Sequence, residues 1–401
     1  MIRKRKFFVR SAIFLIFFGF LFLAASLSWP GPESGANPLR PAGEVQGGKA
    51  SYEQYAALIG GIRSPQSILA AFENRPVWVQ FAGFFDRSWE KYDKKQLAPM
   101  RQWAATELAA AVSSKLTVFY PFSGPDFINP YTLFPHAGTY ILAALEPIGE
   151  VPDFQAMKDK DFDSFFDGLR QSLHDPLNID YFISAHMQSD MVGKELKGVL
   201  PILLFFMARE NVHVHEVDYW SMEPDGTIQQ VPVLNRGKPG PAGAIPGVRI
   251  VFESADSPNQ LQTLYYLRVN LYNLTFQRNV HLIPFLKSFG PLITFMKSAS
   301  YVMFDPQVSV IREFVLDQSH YVLQEDSGIP FKYFDPSVWM LQFYGTYTKP
   351  ISMFKYTYQP DLARTYETGR DIKPLPFGIG YHYEVNKANL LLATKKKKVE
   401  R

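Results

Sequence analysis

Two turns in this chain carry residues that could do acid, base or nucleophilic chemistry. The first is Phe119-Tyr120-Pro121-Phe122-Ser123-Gly124-Pro125-Asp126-Phe127, a hydroxyl and a carboxylate on a tight Pro/Gly turn. The second is Gln324-Glu325-Asp326-Ser327-Gly328-Ile329-Pro330. If the fold brings them together, Ser123, Asp126, Asp326 and Ser327 form one acidic, hydroxyl-rich cleft, the candidate catalytic set. Each turn also suits a plain structural role. Ser123 and Asp126 can satisfy turn amides, and Gly328 with Pro330 can stop a helix. The G-x-S-x-G elbow that exposes a serine nucleophile is absent. His136 follows Asp126 by ten residues and is not assignable as its base.

A third constellation, His213-Val214-His215-Glu216, points to metal binding. On a regular strand, positions i and i+2 share a side, so His213 and His215 could ligate one ion while Glu216 faces away. A third ligand would have to come from Asp190 or His186. Exposed hairpin histidines with no metal give the same pattern. Neither a P-loop, a dinucleotide G-x-G-x-x-G nor H-E-x-x-H occurs, and no motif names a cofactor.

The elements that must position these residues read as mixed. Leu116 to Tyr120, closed by Pro121, and Thr139 to Leu145 predict strands. Ser64-Pro65 predicts a helix start, and a further helix runs from near Pro99 to Ser114. Asp161 caps a helix whose Phe162, Phe165, Phe166, Leu169 and Leu173 fall on one face. Another helix covers Val199 to Asn211 and leads into a hairpin, Val212 to Ser221 and Thr227 to Leu234. Gly247 to Glu253 and Leu264 to Tyr272 alternate with period two and predict a second hairpin. Asp305-Pro306 opens a helix carrying Ile311, Phe314, Val315 and Val322. Strands return at Val338 to Tyr347, Ile351 to Tyr358 and Asn389 to Ala393. The expected class is α/β to α+β, a mixed sheet with packed helices. The Gly/Pro-rich stretch 235–247 either divides two similar halves, 52–234 and 248–394, or is a long loop inside one domain.

The formal charge of +3 over 401 residues belongs to the ends. Arg3, Lys4, Arg5, Lys6 and Arg10 precede an uncharged 18-residue run from Ser11 to Ser28, and Lys395 to Lys398 with Arg401 form a basic tail, 395–401. The body from 29 to 392 holds 31 basic against 37 acidic residues, a charge of −6. That sign offers no general attraction for nucleic acid. Residues 1–28 read as a signal peptide or an N-terminal membrane anchor. The positive-inside rule then keeps the N-terminus cytoplasmic and places the rest in the periplasm or another extracytoplasmic space. Residues 29–51 are a Pro/Gly-rich linker. The absence of cysteine excludes disulfide scaffolds, thiolate metal sites and cysteine nucleophiles.

The segments FYPFSGPDF (Phe119 to Phe127), KSASY (Lys297 to Tyr301) and LQEDSGIP (Leu323 to Pro330) resemble those of a group of exported bacterial proteins without an assigned chemistry. The resemblance implies a common fold and export, and no activity. The functional expectation is an exported, envelope-associated body that binds a ligand or protein partner and meets the membrane through its N-terminal segment. The alternative is an exported hydrolase using the Ser123/Asp126 turn with Asp326/Ser327 in support.

Overall fold

The computed structural model describes residues 50–112, 116–183, 186–187, 195–231 and 241–397. The expected targeting segment, nearly all of the linker and the end of the basic tail lie outside them. Among the described residues no helix is long and apolar enough to cross a membrane.

Ten strands form one sheet: β1 (Thr117–Pro121), β2 (Thr139–Ala144), β3 (Val212–Met222), β4 (Ile228–Gln230), β5 (Ile245–Ser254), β6 (Leu261–Arg268), β7 (Leu292–Met296), β8 (Ser319–Gln324), β9 (Trp339–Gly345) and β10 (Asn389–Lys395). Their spatial order is β4-β3-β5-β6-β2-β1-β7-β8-β10-β9. The centre, β6-β2-β1-β7-β8, is parallel. Antiparallel strands complete both sides. The chain therefore has the expected mixed sheet with packed helices.

Both faces of the parallel centre are covered, which is why β1 and β7 are apolar or nearly so at every position rather than alternating. Val118 and Tyr120 enter one core with the helices Tyr52–Ile59, Pro76–Tyr92, Asp159–Ser172 and Leu200–Arg209. Phe119 enters the other, with Leu282–Lys287 and Ser309–Gln318. The helix expected from Asp161 starts at Asp159, and its Phe162, Phe165, Phe166 and Leu169 are all buried.

Strands from 52–234 and 248–394 interleave: β6 pairs with β2, β7 with β1, and β5 with β3. The described residues on both sides of 235–247 thus belong to one sheet and one compact unit, and Ile245 to Gly247 already lie in β5. Two separate halves do not fit this arrangement.

Three local expectations need correction. Ser64-Pro65 opens no α-helix: the backbone closes i to i+3 turns instead, Ser67 N–H to Ser64 O at 2.8 Å and Ala70 N–H to Ser67 O at 3.0 Å, while the Ser64 N–H is held by the buried Glu73 carboxylate at 2.8 Å. The helix begins instead at Pro76, whose fixed φ suits the first helical position. Val322 is not on the helix after Asp305. That helix ends at Gln318, and the chain turns extended at Ser319 to pair with Leu292, so Val322 lies in β8. Ile351 to Tyr358 is a pair of 3-10 turns, Ser352–Thr357, rather than a strand. Local bonds, Phe354 N–H to Ile351 O (2.9 Å) and Thr357 Oγ1 to Phe354 O (2.7 Å), satisfy that backbone.

Candidate binding cleft

In a parallel sheet all the strands end on the same side, so the loops that follow them gather along one edge, where open α/β folds place their ligands. Here those loops are Val269 to Tyr272 after β6, Leu145 and Glu146 after β2, Phe122 to Asp126 after β1, and Lys297 to Tyr301 after β7. With Tyr181 to Ile183, Ile351 to Phe354 and Tyr381 they surround a cleft of about 320 Å³.

The floor of the cleft is an ionic cluster. Lys297 directly follows β7 and is 2% exposed. Its ammonium lies 3.1 Å from Asp126 Oδ2 and 3.2 Å from Asp180 Oδ2, and it also donates to the backbone oxygen of Asp180. Three acceptors thus take the three donors of the ammonium. Burial disfavours the charge, but the two carboxylates outweigh it and hold the Lys297 pKa above its ordinary value. A charged, fully bonded amine is no nucleophile.

Asp126 is equally committed. Its Oδ1 accepts from Asn129 Nδ2 at 2.9 Å and Asn129 N at 3.3 Å, and its Oδ2 accepts from the Tyr120 hydroxyl at 3.0 Å. Asp180 accepts from Tyr92 OH and Gly380 N, both at 3.2 Å. Burial raises the Asp180 pKa, Lys297 opposes this and Asp126 adds to it, for a net rise. The Tyr120 and Tyr92 phenols are pushed up by burial and then by these carboxylates, so both remain donors.

The backbone around this cluster is strained. Eight non-glycine residues among those described have positive φ, and five of them are here: Phe122, Asp180, Ser298, Ser300 and Tyr301. Such conformations cost on the order of 1–3 kcal/mol each and persist only when the surroundings over-determine them. For the segment after β7, the surroundings are the second turn. Glu325 Oε1 accepts from Ser298 N at 2.9 Å, Ser327 Oγ accepts from Ala299 N at 2.8 Å, and Asp326 Oδ2 accepts from the Tyr301 hydroxyl. Asn389 Nδ2 holds the other Asp326 oxygen at 2.8 Å. Burial, with Asp326 alongside, holds the Glu325 carboxyl well above the usual carboxylate range.

The two turns therefore sit on the same edge of the sheet, joined through Lys297 to Tyr301, but only one reaches the cleft. Ser123 and Asp126 line it, whereas Asp326 and Ser327 do not. Ser327 Oγ is occupied by Ala299 N and itself donates to Glu325. Ser123 Oγ donates to Gly124 O at 2.8 Å, and among the described residues no hydrogen bond links it to Asp126. Among the described residues no histidine lines the cleft. His136 precedes β2, so one strand length, roughly 20 Å, separates it from the cleft edge.

The two histidines share a side of β3 but have separate partners. Val214 is buried between exposed His213 and His215, and a bulge breaks the alternation only after them, at Glu216. His213 Nδ1 lies 3.0 Å from Glu53 Oε1, and His215 Nε2 lies 3.3 Å from Glu253 Oε2. His186 pairs with Asp175 at 2.8 Å, and Asp190 lies outside the described residues. Among the described residues no three histidine or carboxylate side chains are placed to hold a metal ion. The metal expectation at His213 and His215 is corrected accordingly: each imidazole has its own carboxylate partner.

Sequence reasoning gave no role to Lys297 and missed Asp180. The signal for Lys297 is a cation directly after the apolar run Leu292–Met296, where a buried strand ends. Asp180 carries none, because its partners lie 88 and 117 residues away. Comparisons of the chain with protein-family models, curated proteins and solved structures find no match. Within the chain itself, the segments Phe119 to Phe127, Lys297 to Tyr301 and Leu323 to Pro330 converge on this one corner of the fold.

Proposed function

We propose that the chain is a ligand-binding body, exported and held at the membrane by residues 1–28, with the cleft at the carboxyl ends of β6, β2, β1 and β7 as its binding site. The observation that carries this reading is where strain and buried charge are spent: five strained residues and an ion cluster support one concave, largely apolar surface. A pocket with mostly apolar walls and a few fixed polar groups is the usual form of a small-molecule site. Export is supported by five basic residues ahead of an uncharged 18-residue run and by the lack of cysteine. The hydrolase alternative has less support, because Ser123 lacks a base and Lys297 is fully bonded.

The test is a thermal-shift screen of chemically varied small molecules on the full chain and on Ile183→Trp, which puts a large ring into the cleft wall. Saturable stabilisation of the wild-type chain that disappears in the variant is expected. If the two proteins respond alike to every compound, the cleft is not the site.

A further inference from the structure

We infer that the cleft takes an amphiphile with a quaternary ammonium head, head inward and alkyl chain toward the mouth. This rests on the cleft being a binding site and adds the chemistry of what it binds. Three features of the lining argue for it.

The first is charge. The acidic and basic side chains among the described lining residues, tyrosines aside, are Asp126, Glu146 and Lys297. Lys297 has no donor left for a ligand, so among the described lining residues an anionic head finds no free cation. At the inner end two carboxylates, Asp126 in the lining and Asp180 behind it, surround the one ammonium of Lys297, and Arg268, whose Nε donates to Leu145 O at 3.4 Å, is outside the lining. Excess carboxylate under low-dielectric walls focuses a negative potential into the space above it.

The second is the walls. Tyr381 meets Tyr181 with centroids 5.0 Å apart and Phe354 at 5.1 Å, and Phe122 and Phe182 add further rings to the lining. Aromatic faces around a net-negative floor are the surroundings that attract a cation without hydrogen bonds. Asp126 has no oxygen to spare, so a head bearing N–H groups would give up hydrogen bonds to water that this carboxylate cannot replace. A quaternary ammonium has none to lose.

The third is the mouth. Leu145 and Met353 both line the cleft and remain 59% and 77% exposed. Large apolar side chains left open at the rim of a pocket with a polar floor match a ligand whose apolar part trails outward.

The experiment titrates the full chain, by calorimetry below micelle formation, with octyltrimethylammonium, octyl glucoside, octyl sulfate and choline, and separately with phosphatidylcholine vesicles in a sedimentation assay. Octyltrimethylammonium should bind about tenfold more tightly than octyl glucoside, the factor expected of a desolvated cation over aromatic rings. It should lose that advantage in Phe354→Leu, which keeps the apolar bulk and removes the ring. Ile183→Trp should abolish its binding. Sedimentation with the vesicles would make a membrane lipid the source of the head group, and binding of the soluble ammonium alone would make it a free amphiphile. Either result supports the inference. Equal or tighter binding of the glucoside or sulfate overturns the head-group assignment while leaving the cleft a binding site. Choline binding as tightly as octyltrimethylammonium overturns the alkyl chain. Undiminished binding to Ile183→Trp, or no binding of the ammonium at all, overturns the inference, while the binding reading still stands or falls on its own screen.

Discussion

The turns at Ser123 to Asp126 and Glu325 to Ser327 look alike in composition, each pairing a serine with aspartate beside glycine and proline. Both follow parallel strands and sit on the same edge of the sheet. In the fold they do different work. The first lines the cleft, and its aspartate answers a buried lysine. The second is sealed, and its side chains hold the strained segment between β7 and the 3-10 turn Val302–Phe304. The contrast teaches that two turns of like composition at strand ends can take different roles, and that their bonding partners decide which.

The largest effect is expected at the lysine between the turns. Lys297→Met leaves Asp126 and Asp180 buried without their counter-charge and should cost about 3–5 kcal/mol in denaturant unfolding. Adding Asp126→Asn should recover part of that loss. A cost under about 1 kcal/mol would mean that the first turn does not depend on the lysine.

Next comes the brace. Asp326→Ala strands the Tyr301 hydroxyl and the Asn389 amide in the interior, and should cost about 2–4 kcal/mol. It should also weaken any ligand that uses Ser298 to Val302, because the floor segment loses its support. Unchanged stability would erase the distinction between the turns.

Glu325→Gln sharpens the comparison in the opposite direction. Burial and Asp326 keep Glu325 protonated in the folded chain above the ordinary glutamate pKa of about 4.3. The folded state then binds a proton that the unfolded state releases, so this group's contribution to stability falls as pH rises from that value toward the raised one. Glutamine keeps the oxygen that accepts from Ser298 N and does not titrate. The variant should melt about 2 °C higher at pH 7, with no gain at pH 4. A gain that is the same at both values would remove protonation as the cause.

The smallest effect belongs to Ser123→Ala. Among the described residues its hydroxyl bonds only the next residue's carbonyl, so stability should change by less than about 1 kcal/mol. A large loss would mark Ser123 as a brace like Ser327.

Much of the local structure was legible. The face Phe162, Phe165, Phe166 and Leu169 reads directly from helical spacing, and the short β-branched run ending at Pro121 reads as a strand, because both depend on neighbours within a few residues. The class of sheet followed from the alternation of elements. The strand order did not, since β1 pairs with β7 across about 170 residues and no local pattern encodes that partner. The same distance hid the site. Ser123 and Asp126 were visible as types on a turn, whereas Lys297 and Asp180 acquire meaning only from each other. His213 and His215 show the converse failure: the i, i+2 spacing put both on one exposed side, but each imidazole is taken by its own glutamate.

The central claim is that the cleft edge binds and the second turn braces. Hydrogen–deuterium exchange of the full chain with and without octyltrimethylammonium tests it most directly. The account predicts slower exchange confined to 122–126, 269–272, 298–302 and 351–354, with 325–327 already slow in the free protein and little changed by the ligand. Protection centred on the bulged strand at 212–216, or rapid exchange at 325–327 in the free chain, would contradict it.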